Sequence, residues 1–135
     1  MILSEDTGKI LCAFYKVYNV LGFGFLEKVY ENALCLELAT SGFKVCQQLN
    51  VPVYYQGAMV GDYYADMLVN DRIIVELKAA EYLKSEHFAQ LTHYLKATEM
   101  EVGLLLNFGK KAEFKRIIFT NDLKQARYRE ETEAL

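Results

Sequence analysis

Residues 102–108 read Val-Gly-Leu-Leu-Leu-Asn-Phe, an almost unbroken apolar run of strand length. A strand of that composition is the kind buried on both faces, so it belongs in the middle of a sheet with cover on each side. The rest of the chain must therefore supply flanking helices as well as neighbouring strands.

It has the pattern to do both. Ile10, Leu11, Phe14, Val17, Tyr18 and Leu21 recur at helical spacing and predict an amphipathic helix over about 5–21, with Ser4 or Asp6 as its cap. Gly22 and Gly24 interrupt that pattern. A second helix is predicted over about 25–40, stopped by Gly42. The period then changes to that of strands: 43–49, 51–55, 58–69 and 72–79, with a turn at Gln56 and Gly57 and a hairpin closing around Asn70 and Asp71. A helix over 85–98, the strand 102–108, a short strand over 115–120 and a last frayed helix capped by Asp122 complete the order. This order predicts a mixed α/β fold with a central sheet flanked by helices, as one domain over residues 1–135 whose last six or so residues fray.

Composition narrows the function. The 135 residues are 53% hydrophobic and include 18 aromatic side chains, enough for a real core and against disorder. No apolar run approaches the roughly 20 residues of a membrane helix, and Ser4, Glu5, Asp6 and Lys9 break any signal-peptide layout. Cys12, Cys35 and Cys46 are odd in number and widely spaced, which argues against a disulfide framework or zinc site and for buried free thiols. The expected location is the cytoplasm. A net charge of −3 excludes a strongly basic general nucleic-acid binder. The charge is uneven, however: residues 1–107 carry −5 and residues 108–129 carry +5. Such a basic segment suits a phosphate-contacting surface, or simply a solvated one.

The chemistry lies on adjacent strands. Glu76 and Lys78 are two apart and share a strand face, about 7 Å from each other along the chain. Asp66 joins them only if it pairs directly across from Glu76. A two-residue loop at Asn70 and Asp71 would send it to the other face, so the site requires a three-residue loop or a bulge. Two carboxylates and the main-chain carbonyl of Leu77 are hard oxygen donors suited to Mg²⁺. A neighbouring lysine can orient an attacking water and offset charge on a phosphate. On its own the spacing D-x₉-E-x-K is weak, and an ordinary Glu76–Lys78 ion pair with Asp66 solvated is the better account of it. Other segments add to it. Glu27 and Tyr30 lie one turn apart at the start of the second helix, where a carboxylate also suits the helix dipole. Gln90 and Tyr94 share a face of the third helix, able to hydrogen-bond a phosphate or brace a lysine.

The run Gly22-Phe23-Gly24-Phe25-Leu26-Glu27-Lys28-Val29-Tyr30 resembles the signature of the GxxExxY protein family, a branch of the PD-(D/E)XK nuclease superfamily. The resemblance extends from about Ile10 to Phe119 through Tyr64-Ala65-Asp66, Val75-Glu76-Leu77-Lys78-Ala79, the segment from Gln90 to Leu95, and residues 102–109. It implies an αβββαβ core with Asp66, Glu76 and Lys78 as the triad and Glu27 as an additional acid. Gln90 and Tyr94 would form a Q-x-x-x-Y element. Ala65 stands where the superfamily name has proline, and Tyr18 and Phe23 stand where relatives often have His and Pro. The implied activity is Mg²⁺- or Mn²⁺-dependent phosphodiester hydrolysis, with nucleic acid, DNA foremost, as substrate. The alternative is a non-catalytic nucleic-acid- or protein-binding module of the same fold. A homodimer is compatible with either.

Three features are set aside on sequence grounds. His87 and His93 lack the spacing of a metal pair. Gly22 and Gly24 follow a helix rather than a strand and make no phosphate loop. Tyr54, Tyr55, Tyr63 and Tyr64 are able to stack bases, but alternating tyrosines on strands more often pack a sheet.

Overall fold

The N-terminal helical pattern forms α1 (Ser4–Leu21), and the second forms α2 (Glu27–Thr40). In the computed structural model, which describes residues 3–124, Ser4 and Asp6 are not the caps of α1. Leu3 holds that position in a left-handed backbone conformation (φ 53°), and no side chain bonds the free amides. Glu5 and Asp6 instead place negative charge in the first turn, where the helix dipole favours it. Gly42 ends α2 as expected. At φ +90° it lets the amides of Gly42 and Phe43 turn back onto the carbonyls of Ala39 and Leu38 (both 3.0 Å).

Among the described residues five strands follow rather than six. The segments expected at 43–49 and 51–55 are one strand, β1 (Val45–Tyr55). Pro52 sits within it because β1 is an edge of the sheet, where a missing N–H costs no ladder bond. The others are β2 (Ala58–Val69), β3 (Ile73–Lys78), β4 (Val102–Phe108) and β5 (Ala112–Ile118), with α3 (Ser85–Ala97) between β3 and β4. The last strand begins three residues before its expected start. A short helical stretch opens at Asn121 rather than on an Asp122 cap, and the expected fraying at the C-terminus lies outside the described residues. Spatial order equals chain order. Only the β3–β4 pair is parallel, because α3 carries the chain back between them; the other pairs are antiparallel.

β4 is buried at every position, as its composition requires. Alternate residues of β3 and β4 feed two cores. Ile73, Val75, Leu77, Leu104 and Leu106 pack against α1 and α2, around Phe14, Tyr30 and Leu34. Ile74 and Leu105 pack against α3, around Leu91 and Leu95. Each fully buried Leu, Ile or Phe contributes roughly 1.5–3 kcal/mol, so both layers are held on by ordinary apolar burial.

The polar exception in β4 is Asn107, fully buried. Its side chain accepts from the Ala80 amide (2.9 Å) and donates to the Ala80 carbonyl (3.0 Å), tying the chain after β3 to the end of β4. Gly109 lies so close to the same carbonyl that a Cβ there would collide with it. Asn107→Ala would orphan both Ala80 groups. Each unsatisfied group costs about 1–3 kcal/mol when fully buried, and because Ala80 is half-buried the two together should cost about 2–4 kcal/mol in chemical denaturation. A loss below about 0.5 kcal/mol would mean that water serves Ala80 equally well.

Candidate active site

The turn between β2 and β3 decides the site. Val69 pairs with Ile73, Leu68 with Ile74 and Met67 with Val75, so the loop has three residues, Asn70, Asp71 and Arg72. Asn70 and Asp71 both have positive φ (52° and 57°), a conformation these side chains tolerate better than most. This register brings Asp66 opposite Glu76, as the site required.

The ladder stops at Met67 and Val75, and the carboxylates take its place. The Asp66 amide donates to Glu76 Oε1 (2.6 Å), and the Leu77 amide donates to Asp66 Oδ2 (2.8 Å). Two backbone donors freed by the parting strands are thus satisfied by the acidic side chains themselves. The strands also rotate here. Ala65 belongs to the core under α3 and Met67 to the core under α1 and α2, although residues two apart on a regular strand share a face. On the partner strand Gln48 has φ +57°, a kink beside the same point.

Burial is the main reason that Asp66 and Glu76 both hold their protons more tightly than usual. For Glu76 the adjacent Asp66 charge adds to it and the carboxyl is pushed up to about 8. For Asp66 the upward push is opposed by the Leu77 amide and by Lys78, and reinforced by the charges of Glu31 and Glu27. Two acids this close cannot both ionise cheaply, and near neutral pH the pair retains a proton.

Lys78 is set by a different partner. Its ammonium donates to Gln90 Oε1 at 2.6 Å, whereas Glu76 Oε2 is 4.0 Å away. Gln90 in turn donates to the Tyr94 hydroxyl (3.3 Å), which donates to the Tyr64 carbonyl (3.2 Å). The chain Lys78–Gln90–Tyr94–Tyr64 links β3, α3 and β2 and aims the ammonium. Burial and the Glu76 charge raise the Tyr94 hydroxyl, which therefore stays a neutral donor. The Glu76–Lys78 ion pair that the spacing allows is present at 4.0 Å, but the ammonium makes its hydrogen bond to Gln90 instead.

The other expected residues separate. Glu27 is exposed on the first turn of α2 and reaches Asp66 through its field. No three His, Cys, Asp or Glu side chains converge as a metal cluster among the described residues, so Glu27 does not join the carboxylate pair directly. Tyr30 is fully buried. Its hydroxyl donates to the Gly22 carbonyl (2.7 Å) and accepts from the Phe25 amide (3.2 Å), which fixes the loop before Glu27. Glu31 was missed. It is 4% exposed and accepts from Lys28 (2.8 Å), Gln47 (2.7 Å) and Gln48 (3.0 Å), so it clamps the β1 kink beside Asp66. A signal was available: Glu31 stands four residues after Glu27, on the same helical face.

His87 and His93 form no metal pair. His87 accepts from the Lys84 amide (3.0 Å) at the start of α3, and His93 packs edge-on to Tyr63. The tyrosines at 54, 55, 63 and 64 are all exposed and do not pack the sheet as expected. Cys12 and Cys46 are exposed and Cys35 is half-buried against the core under α1 and α2, so the thiols are free but not buried as expected.

The profile of the PD-(D/E)XK nuclease superfamily matches residues 4–117, and the chain belongs to that superfamily. Its nucleases typically use divalent metals and act on nucleic acid. Among solved structures, the crystal structure of a protein designated SSO0001 is similar at TM-score 0.54 and 17% identity, covering 79% of this chain and 57% of that one. An alkaline exonuclease from Laribacter hongkongensis is similar at TM-score 0.50 and 16% identity, covering 79% of this chain and 62% of that one. Likeness at such identities speaks for the fold, and in both cases the chain spans less than two thirds of the other protein's length. A search of the curated proteins finds no match. No helix among the described residues is long and apolar enough to cross a membrane.

Proposed function

We propose that this protein is a Mg²⁺- or Mn²⁺-dependent deoxyribonuclease of the GxxExxY branch, hydrolysing phosphodiester bonds at Asp66, Glu76 and Lys78. The observation that carries the reading is the split of β2 from β3, which sets the buried Glu76 and the half-buried Asp66 against each other with a lysine beside them. Two anionic oxygen groups that repel one another are a donor set that a divalent cation relieves. Asp66, Glu76 and the Leu77 main-chain carbonyl would hold that ion, which would polarise a phosphoryl oxygen and make a water more acidic.

The chain's own groups do the rest. Lys78, aimed by Gln90, stabilises negative charge on the phosphoryl group and orients the attacking water. Gln90 and Tyr94 keep the ammonium in one place, so little reorganisation is needed during reaction. Glu27 and Glu31 add negative potential from α2, which raises the affinity of the acid pair for a cation.

The test is cleavage of end-labelled single-stranded, duplex and branched DNA with Mg²⁺, with Mn²⁺ and with chelator. Metal-dependent products are expected from at least one substrate. A folded protein that binds neither ion and cuts none of them would leave only a nuclease-fold binding module.

A further inference from the structure

A cleft of about 390 Å³ lies between the loop before α2 and the chain that leaves β3, its lining beginning at Ala79, the residue after Lys78. Phe23 and Phe25 form one wall, Ala80 and Glu81 the other, Phe108 lies on the inner side and Lys110 stands at the rim. We infer that this cleft is a subsite for one unpaired nucleotide of a single strand, its base against Phe23 and Phe25 and its phosphate toward Lys110. The inference rests on the nuclease reading for its position relative to a scissile bond, but not for its chemistry.

Phe23 and Phe25 are 55% and 48% exposed, an expensive way to leave two large rings unless something covers them. The loop that carries them is held in place at Gly22 and Phe25. Tyr30 bonds the backbone at Gly22 and Phe25, meets the Phe25 ring edge-on at 6.1 Å, and stacks on Phe108 at 4.4 Å. The opposite wall is equally fixed, by Asn107 on Ala80 and by the Tyr18 hydroxyl 2.7 Å from the Gly109 carbonyl and 2.8 Å from that of Lys110. A preformed cleft binds without the cost of ordering its walls.

Size and charge select the occupant. The volume falls in the usual range of small-ligand sites, and a mononucleotide fits it. Lys110, which lines the cleft, and its neighbour Lys111 begin the basic segment of an otherwise acidic chain, which supplies a cation for a phosphate next to a stacked base. Aromatic stacking needs an open base face, which a base within a duplex stack does not offer, and it tolerates any base. Continuity supplies the link to chemistry. Phe23 and Phe25 lead directly into Glu27, and Ala79, Ala80 and Glu81 follow directly from Lys78. A nucleotide in the cleft would present its neighbouring phosphate toward Lys78.

The experiment measures fluorescence anisotropy of a labelled short oligothymidylate and of a labelled hairpin duplex, in chelator and at low salt. Calorimetric titration with Mn²⁺ and a cleavage assay run in parallel. The single strand should bind more tightly than the duplex. Phe23→Ala, alone and with Phe25→Ala, should weaken it by about 10-fold or more per lost stacking contact, with Phe23→Tyr restoring most of the loss. Lys110→Ala should weaken both probes and reduce the salt dependence. Mn²⁺ binding should be unchanged in the phenylalanine variants. Phe23→Ala binding the oligothymidylate as the unmutated protein does, or losing both probes equally, would overturn the subsite. If such a variant also kept the KM for cleavage, the nuclease reading would stand without the subsite. Phenylalanine-dependent binding with no cleavage under any metal would leave the subsite and remove the nuclease.

Discussion

Lys78→Ala should lower turnover by about 10²-fold or more while leaving divalent-ion binding nearly intact. Its ammonium is bonded to Gln90 at 2.6 Å and stands 4.0 Å from Glu76, so its removal takes away a positioned charge without removing a metal donor. Glu76→Ala should behave differently, losing ion affinity and activity together because an anionic donor is gone. Gln90→Ala should fall between them, with turnover reduced because Lys78 is no longer aimed. An ordinary ion pair makes another forecast: small, equal stability losses and no effect on metal binding. Calorimetric Mn²⁺ titration and single-turnover cleavage of each variant separate the two. Equal metal affinity in Glu76→Ala and the unmutated protein would remove Glu76 from the ion.

The second large effect is a pH dependence of stability that bound metal offsets in large part. Glu76 ionises near 4.5 in the unfolded chain and near 8 in the folded metal-free protein. Between those values the folded state holds a proton that the unfolded state has lost. Stability contributed by this group is therefore full below about pH 4.5, falls as pH rises, and is gone above about pH 8. The slope is at most one proton, about 1.4 kcal/mol per pH unit, and Asp66, also raised, adds to the same direction at lower pH. Bound Mg²⁺ or Mn²⁺ favours the ionised pair, so the ion should stabilise more at pH 8 than at pH 5. At 100 times Kd that stabilisation is about 2.7 kcal/mol. Glu76→Gln keeps an acceptor for the Asp66 amide but cannot ionise. It should flatten the metal-free pH profile and abolish the gain from metal. Urea denaturation from pH 5 to 8, with chelator and with Mn²⁺, measures both. A metal-free protein that gains stability between pH 5 and 8 would contradict the burial of this carboxyl as the controlling term.

Much of this arrangement is legible in the residues. The apolar run 102–108 requires a doubly covered central strand, and β4 is buried throughout. The alternation of β3 puts Glu76 and Lys78 on one face, and the parity of pairing turns the Asp66 question into a choice of loop length. The three-residue loop answers it. Helix spacing also brings Gln90 and Tyr94 to one side of α3, where both are found in the chain of bonds to Lys78. Less visible was β1, read as the two strands 43–49 and 51–55 with a gap at Asn50; the ladder to β2 runs through Asn50, which pairs with Tyr64, and Pro52 is tolerated at this edge. The cap of α1 and the exposure of Cys12 and Cys35 depend on how each helix is rotated and started, and that of Cys46 on which face of β1 is covered, none of which the local sequence sets.

The sequence by itself determined which residues carry charge, how far apart they lie along each element, and hence the faces on which Glu76, Lys78, Gln90 and Tyr94 project. Those are local facts, fixed by the periods of strand and helix. Only the tertiary structure decided that the strands part at Asp66, that the acids replace the ladder there, and that Glu31 rather than Glu27 is the buried α2 carboxylate beside the kink. Those depend on which side of a sheet each helix covers. That choice is made by the burial of Phe14, Tyr30, Leu34, Leu91 and Leu95 against residues distant in the chain, and no window of sequence contains it.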